Sequence, residues 1–196
     1  NGNSGAQSFN TNGTEFKLFR IQRDSTTTAD VITLGAGGTV SLGTNAGGGL
    51  QLNQSGANTT VLDITDNTIN LNAASFITAS SSGLLNSNGG TININKNAGT
   101  GNAGNLRFVN GAVLNTLNIN FDNAFARDSI NLYDTVFVQN LLLNKGKLVV
   151  NVNADGLVDI PAGGTITGAS ATAYVDGKIR RHSSGAIVFP VGSNGR

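Results

Sequence analysis

The chain of 196 residues contains no cysteine, no methionine and no tryptophan. The lack of cysteine excludes disulfide bonds and thiolate metal sites. Charged residues make up 12% of the sequence and the net charge is +1, so there is no electrostatic basis for binding nucleic acid or an anionic membrane. No apolar run approaches the roughly 20 residues of a membrane-spanning helix. We therefore expect no nucleic-acid partner and no membrane insertion.

Short apolar motifs are present instead, separated by abundant glycine and asparagine. Apolar residues two positions apart recur as Ile32 and Leu34, Val40 and Leu42, Leu50 and Leu52, Leu62 and Ile64, Ile69 and Leu71, and Ile92 and Ile94. This alternation is typical of strands that bury one face, and the polar residues between the pairs are typical of turns. Because no segment combines helical spacing with helix caps, the sequence predicts an all-β chain.

Two all-β architectures fit such strands: an antiparallel β-sandwich, and a parallel β-solenoid whose strands stack in successive coils. Strands of about three to five residues are short for a sandwich core. Asn93 and Asn95 flank one strand centre, and Asn118 and Asn120 flank another. Stacked asparagine side chains hydrogen-bond to one another where strands repeat in register. The sequence therefore predicts a parallel β-solenoid-like stack, with the antiparallel sandwich as the alternative.

Composition divides the chain into three parts. Residues 1–14 are mostly Asn, Gly, Ser and Thr, and are predicted to be a flexible entry or linker. Residues 15–105 are a series of short strands rich in Asn, Gly and Thr. Residues 106–196 contain more Leu, Val and Phe, and are predicted to be a better-packed solenoid part that ends in YVDGKIRR and FPVG. Within it, TVFVQNLLLN and KLVVNV are predicted as separate strands.

Residues 15–23, EFKLFRIQR, are the most amphipathic segment. Phe16 and Leu18 alternate in one phase and Phe19 and Ile21 in the other, which indicates an edge strand with a bulge. Exposed strand edges pair readily with other chains. The four apolar residues are therefore predicted to mediate self-association.

Candidate catalytic and metal-binding residues are few. Asp155 and Asp159 are the carboxylates of the acidic segment NADGLVD, but calcium prefers six or more oxygen ligands. The single histidine, His182, has no nucleophile motif beside it and is interpreted as an exposed turn residue. We therefore predict no catalytic residue, no cofactor and no metal site, with Asp155 and Asp159 as the only metal candidates.

Residues 166–192, ITGASATAYVDGKIRRHSSGAIVFPVG, carry a resemblance to a known group of proteins. They resemble a GASxTSYVxGxLRR…FPVG-like segment that follows short β-repeats in large secreted surface proteins of Bacteroidota, the cargo of the type IX secretion system. The resemblance implies an extracellular or cell-surface protein that is structural or adhesive. It also implies O-glycosylation where Asp precedes Ser or Thr, which predicts Ser25, Ser129 and Thr135 as glycosylated residues.

Three functional hypotheses follow. The first is a non-catalytic structural or adhesive protein, a self-assembling filament or surface-fibre subunit, whose partners are further copies, other surface proteins or glycans. The alternative is a carbohydrate-binding β-solenoid, which aligned threonines would favour; however, threonines such as those at 26–28 and 59–60 are expected in turns. The third is a polysaccharide lyase or hydrolase, which needs two acids in a cleft. Because no acidic pair has a basic or aromatic companion, we predict no enzyme activity.

Overall fold

In a computed structural model of the chain, the described residues are 7–9, 15–16, 18–23, 30–35, 37–43, 49–54, 59–72, 76–79, 83–95, 101–121, 128–151, 153–183, 185–186 and 188–192. These residues form β-strands and turns and contain no helix. Consequently, the described part of the chain has no helix long and apolar enough to cross a bilayer.

The strands lie in the following order along the chain: β1 Gln7–Phe9, β2 Glu15–Phe16, β3 Leu18–Arg23, β4 Asp30–Leu34, β5 Thr39–Leu42, β6 Gly49–Gln54, β7 Thr60–Asp63, β8 Thr68–Asn72, β9 Phe76–Ala79, β10 Gly83–Asn86, β11 Asn88–Asn95, β12 Asn102–Leu106, β13 Val113–Asn120, β14 Ser129–Leu132, β15 Thr135–Val150, β16 Leu157–Ile160, β17 Thr165–Thr167, β18 Ala173–Asp176 and β19 Ile179–Arg181.

Every pairing between these strands is parallel, and each strand pairs with strands of the neighbouring coils. This arrangement is a parallel β-solenoid, so the predicted fold is confirmed and the antiparallel sandwich is wrong. The first face of the solenoid consists of β2, β5, β8, β11, β13, the start of β15, and β17. The second face consists of β3, β6, β9, β12, β14, the end of β15, and β18. A third face contains β1, β4, β7 and β10.

The corners between the faces correct two local predictions. The phase change in residues 15–23 is a corner rather than a bulge, because β2 pairs with β5 on the first face whereas β3 pairs with β6 on the second. Conversely, TVFVQNLLLN and KLVVNV are not separate strands, because β15 runs through both segments and joins the first face to the second. Local alternation cannot show where a continuous chain changes from one face to the next.

The core consists of apolar columns that run along the stack. On the first face Val40, Ile69, Ile92, Leu117 and Leu141 lie in register on successive coils, and each is buried. The buried cluster is continuous from Ile21 to Val175. Because a parallel strand pair places like positions side by side, each coil buries its apolar residues against those of its neighbours.

Candidate functional site

Asparagine side chains form a ladder on the outward side of the first face. Asn70 donates to Ser41 Oγ at 3.2 Å, Asn93 to Asn70 at 2.8 Å, Asn118 to Asn93 at 3.4 Å and Asn144 to Asn118 at 3.0 Å. Each amide inside the ladder donates to one coil and accepts from the next. The predicted hydrogen bonding of Asn93 and Asn118 along the stack is confirmed, and it fixes the register between coils.

We expect Asn93→Ala to lower the free energy of unfolding by about 1–2 kcal/mol, because it removes two hydrogen bonds of the ladder. Asn95→Ala is the matched control, since within the described part of the chain Asn95 has one side-chain bond, to Asn72 at 3.5 Å. Urea titration followed by circular dichroism measures both losses. Equal losses of unfolding free energy in the two variants would show that a position inside the ladder stabilises the chain no more than a single hydrogen bond does.

A column of threonines lies beside this ladder. Thr39, Thr68, Thr91 and Thr116 occupy equivalent positions on successive coils, two residues before Ser41, Asn70, Asn93 and Asn118. Asn140 and Thr165 continue the column, and Thr165 Oγ1 donates to Asn140 Oδ1 at 2.9 Å. Of the threonines expected in turns, those at 26–28 lie outside the described residues, and Thr60 belongs to strand β7. Because the coils differ in length, no fixed spacing in the sequence reveals this alignment.

The predicted metal candidates occupy different environments. Asp155 lies in an exposed turn, whereas the Asp159 side chain is 0% exposed. Asp159 Oδ2 accepts from Arg180 Nε at 3.1 Å and also from Arg180 Nη2. These hydrogen bonds and the charge of Asp159 raise the pKa of the Arg180 guanidinium. Among the described residues, no three His, Asp or Glu side chains are grouped closely enough to hold a metal.

His182 contributes to the same cluster although its side chain is 51% exposed. Its Nε2 lies 2.9 Å from Asp159 Oδ1. This buried oxygen accepts no hydrogen bond of good geometry from the described residues. A bond forms there only when the ring carries its hydrogen on Nε2. Asp159, Arg180 and His182 form this cluster, which connects the segment after β19 to the preceding coil. Because its residues lie on neighbouring coils, their spacing in the sequence does not reveal it.

The predicted self-association residues lie at the N-terminal end of the stack, in β2 and β3. Leu18 is 37% exposed, whereas Ile21 belongs to the core. Phe16 and Phe19 are half-buried against that core, with their ring centroids 6.4 Å apart. Leu18 is therefore the member of this set that is most available to another chain.

The predicted glycosylation residues are distributed along the chain. Ser25 lies outside the described residues. Ser129 is buried, and its hydroxyl accepts from Asn102 Nδ2 at 3.0 Å. Thr135 is half-buried and donates to the Asp155 carbonyl at 2.8 Å. O-glycosylation stays a prediction for these residues.

A cleft of about 370 Å³ lies on the second face, where three successive coils reach the same corner. Its lining residues are Asn131, Tyr133, Val149, Val150, Asn151, Asp176 and Gly177. The parallel register brings them together, because Asn131 pairs with Val149 and Val149 pairs with Asp176. No sequence motif marks this cleft. Its only local signal was the presence of Tyr133 in a chain with two tyrosines.

The Tyr133 ring is held in place by the preceding coil. The guanidinium carbon of Arg107 lies 5.4 Å from the centre of the ring, within the range of a cation–π contact. Arg107 is itself fixed by Asp134 through two hydrogen bonds of 3.2 Å. Asp134 also accepts from the Phe108 backbone N–H at 2.9 Å. The ring is therefore a preorganised wall of the cleft.

Comparison with known proteins leaves the function to be argued from this geometry. No protein-family model matches the chain, and neither a curated protein nor a solved structure is similar enough to count as a match. The resemblance of residues 166–192 to Bacteroidota surface proteins stays a prediction.

Proposed function

We propose that this chain is a non-catalytic structural or adhesive protein of the cell exterior that associates end to end with further copies. The observation that carries the proposal is the pairing of the terminal strands. Among the described strands, β2 and β3 each pair on one side only at the beginning of the stack, and so do β17 and β19 at its end. Such edges present backbone N–H and C=O groups that another strand can pair with.

The two ends are suited to each other because the strands of every coil on one face run in the same direction. On the first face, the β17 edge of one copy can therefore pair in parallel with the β2 edge of the next copy. On the second face, Val191 bridges to Val175 of β18 and would be displaced by β3 of the next copy. This contact would be heterologous, and heterologous contacts build filaments unless their rotation closes a ring. Leu18, exposed on β3, supplies an apolar contact at the first edge.

We expect Leu18→Lys to prevent concentration-dependent growth, because a charged side chain on an edge strand opposes strand addition. Val31→Lys is the matched control. Val31 is 42% exposed, but its strand β4 pairs with β1 on one side and β7 on the other. Light scattering and negative-stain electron microscopy measure the assembly.

Wild-type filaments that persist in Val31→Lys and disappear in Leu18→Lys would support end-to-end association through β3. A wild-type chain that stays monomeric at every concentration would refute it, as would equal assembly of the two variants. Deleting residues 1–23 is a less specific test, because the deletion would uncover β5 and β6 as a new edge.

A second candidate function, carbohydrate binding, is favoured by the threonine column. Adjacent coils of a parallel sheet are about 4.8 Å apart, and alternate residues along a strand are about 6.6 Å apart. Thr68 and Asn70, with Thr91 and Asn93 on the next coil, thus form part of a flat grid of hydroxyl and amide groups. Such a grid suits the repeating hydroxyls of an extended polysaccharide. Co-sedimentation with insoluble polysaccharides tests this function.

We do not propose the lyase or hydrolase hypothesis. Glycoside cleavage by the usual mechanism needs two carboxyl groups on opposite sides of the bond. Among the described residues, the cleft beside Tyr133 is lined by one carboxylate, that of Asp176. The carboxylate of Asp159 is engaged by Arg180, which makes it a structural group.

A further inference from the structure

We propose that the cleft formed by Tyr133, Asn151 and Asp176 binds one neutral sugar unit of a glycan. The inference rests on the second candidate function, carbohydrate binding, and assigns it a specific subsite. It does not depend on end-to-end association. Four observations support it: free polar groups, a fixed aromatic ring, the charge of the lining and the size of the cleft.

The first observation is that three polar groups at the cleft have no partner among the described residues. The Tyr133 hydroxyl, Asn151 Nδ2 and the Asp176 carboxylate make no hydrogen bond to any residue that the structure describes. Other half-buried acids are paired: Asp134 with Arg107, and Asp63 with Asn86. A donor, an acceptor and a hydroxyl on residues that line one cleft, without partners among the described residues, are suited to the hydroxyl groups of a ligand.

The second observation is the position of the Tyr133 ring. Arg107 lies over the ring from the preceding coil, whereas Val149 and Asn151 approach the cleft from the following one. We infer that the ring face turned away from Arg107 borders the cleft. An aromatic ring presents an apolar, weakly negative face that packs against the C–H groups of a pyranose. Because Arg107 and Asp134 fix the ring, little side-chain entropy is lost when a sugar binds.

The third observation concerns charge. Asp176 is the only charged residue among the described residues that line the cleft. A carboxylate accepts strong hydrogen bonds from neutral hydroxyl groups, but it repels a second carboxylate in the same site. The lining therefore favours a neutral sugar over a uronic acid. Arg107 does not change this preference, because its charge is paired with that of Asp134.

The fourth observation is size. The cleft has a volume of about 370 Å³, near the lower limit of about 300 Å³ for ligand pockets. That volume suits one sugar unit with its neighbours in the polymer lying outside. Weak binding by such a subsite would gain strength from the repeated contacts of a long polysaccharide on the same solenoid.

The chain provides its own reporter for this site. Since it contains no tryptophan and only two tyrosines, Tyr174→Phe leaves Tyr133 as the sole strong emitter. The experiment titrates this variant with neutral tetrasaccharides of glucose, xylose and mannose, and with tetragalacturonate as the charged comparator. We expect a saturable change in tyrosine emission with at least one neutral probe and a weaker response to tetragalacturonate.

Further variants made in the Tyr174→Phe chain locate the contact. We expect Asp176→Asn and Asn151→Ala each to weaken binding about tenfold, as loss of one good hydrogen bond would. Asp66→Asn is the matched control, since it removes the same charge from an exposed turn on a distant coil. Asp66 has a φ of 55°, a conformation that asparagine accepts. Circular dichroism verifies that each variant is folded.

The outcomes separate the subsite from the general function. No change in emission with any neutral probe at about 10 mM, tenfold above a dissociation constant of about 1 mM, would overturn the subsite. Unchanged binding by Asp176→Asn would overturn it as well. If the chain still sediments with insoluble polysaccharide in either case, carbohydrate binding stands and is located elsewhere, with the threonine column as the next surface to test. If it does not sediment, both proposals fail.

Discussion

Gly146→Ala is expected to lower the free energy of unfolding by about 2–5 kcal/mol, from backbone strain and overpacking together. Gly146 has a φ of +89°, which residues with a side chain rarely adopt. A Cβ atom at this position would overlap the buried ring of Phe121 and lie 3.0 Å from the Asp128 carbonyl oxygen. Gly146 lies inside β15, where the strand passes from the first face to the second, so the coil cannot relax without moving both faces.

Gly163→Ala separates the two contributions. Gly163 has a φ of +80°, but a Cβ atom there would have nothing within 4 Å. Its replacement should therefore lose only the strain term, about 1–2 kcal/mol. Urea titration followed by circular dichroism measures both variants. If Gly146→Ala proves no worse than Gly163→Ala, the Phe121 ring can move aside and the close packing at this corner is not essential.

Leu141→Ala is expected to cost about 2–5 kcal/mol, as do other large-to-small substitutions in well-packed cores. Leu141 is 0% exposed and lies in register between Leu117 on the preceding coil and Ile166 on the following one. The cavity would remove contacts with both neighbours. In a stack stabilised by nearest-neighbour contacts, a weak interface at β15 also reduces the coupling between the last coil and the coils before it.

Leu142→Ala is the control for this change, because it makes the same substitution at the next residue of the same strand. Leu142 points outward from the first face and is half-buried. We expect a loss below about 1 kcal/mol, since no enclosed cavity forms. Thermal and urea unfolding compare the two variants. Similar losses would mean that the inward column is not the main source of stability in this coil.

The sequence by itself determined that the chain forms short strands and that the residues of the period-two apolar pairs are buried. Period-two apolar pairs such as Val40 with Leu42 and Ile92 with Ile94 lie in the core, as their spacing predicts. The short strands favoured parallel stacking, and Asn93 and Asn118 form the hydrogen bond expected of stacked coils. These properties are local, because alternation along a strand and the nearest turn residues are sufficient to set them.

The tertiary structure decided which residues meet across coils. Ser41 meets Asn70 over 29 positions, and Asn93 meets Asn70 over 23. Because loops of unequal length absorb the difference, no fixed sequence period places Thr39 beside Thr68, Asp159 beside Arg180, or Tyr133 in one cleft with Asp176. The corner within β15 is equally hidden, since the break in alternation after Leu143 predicts separate strands as readily as a corner. Contacts between residues of different coils depend on register, and register is set only when the whole stack packs.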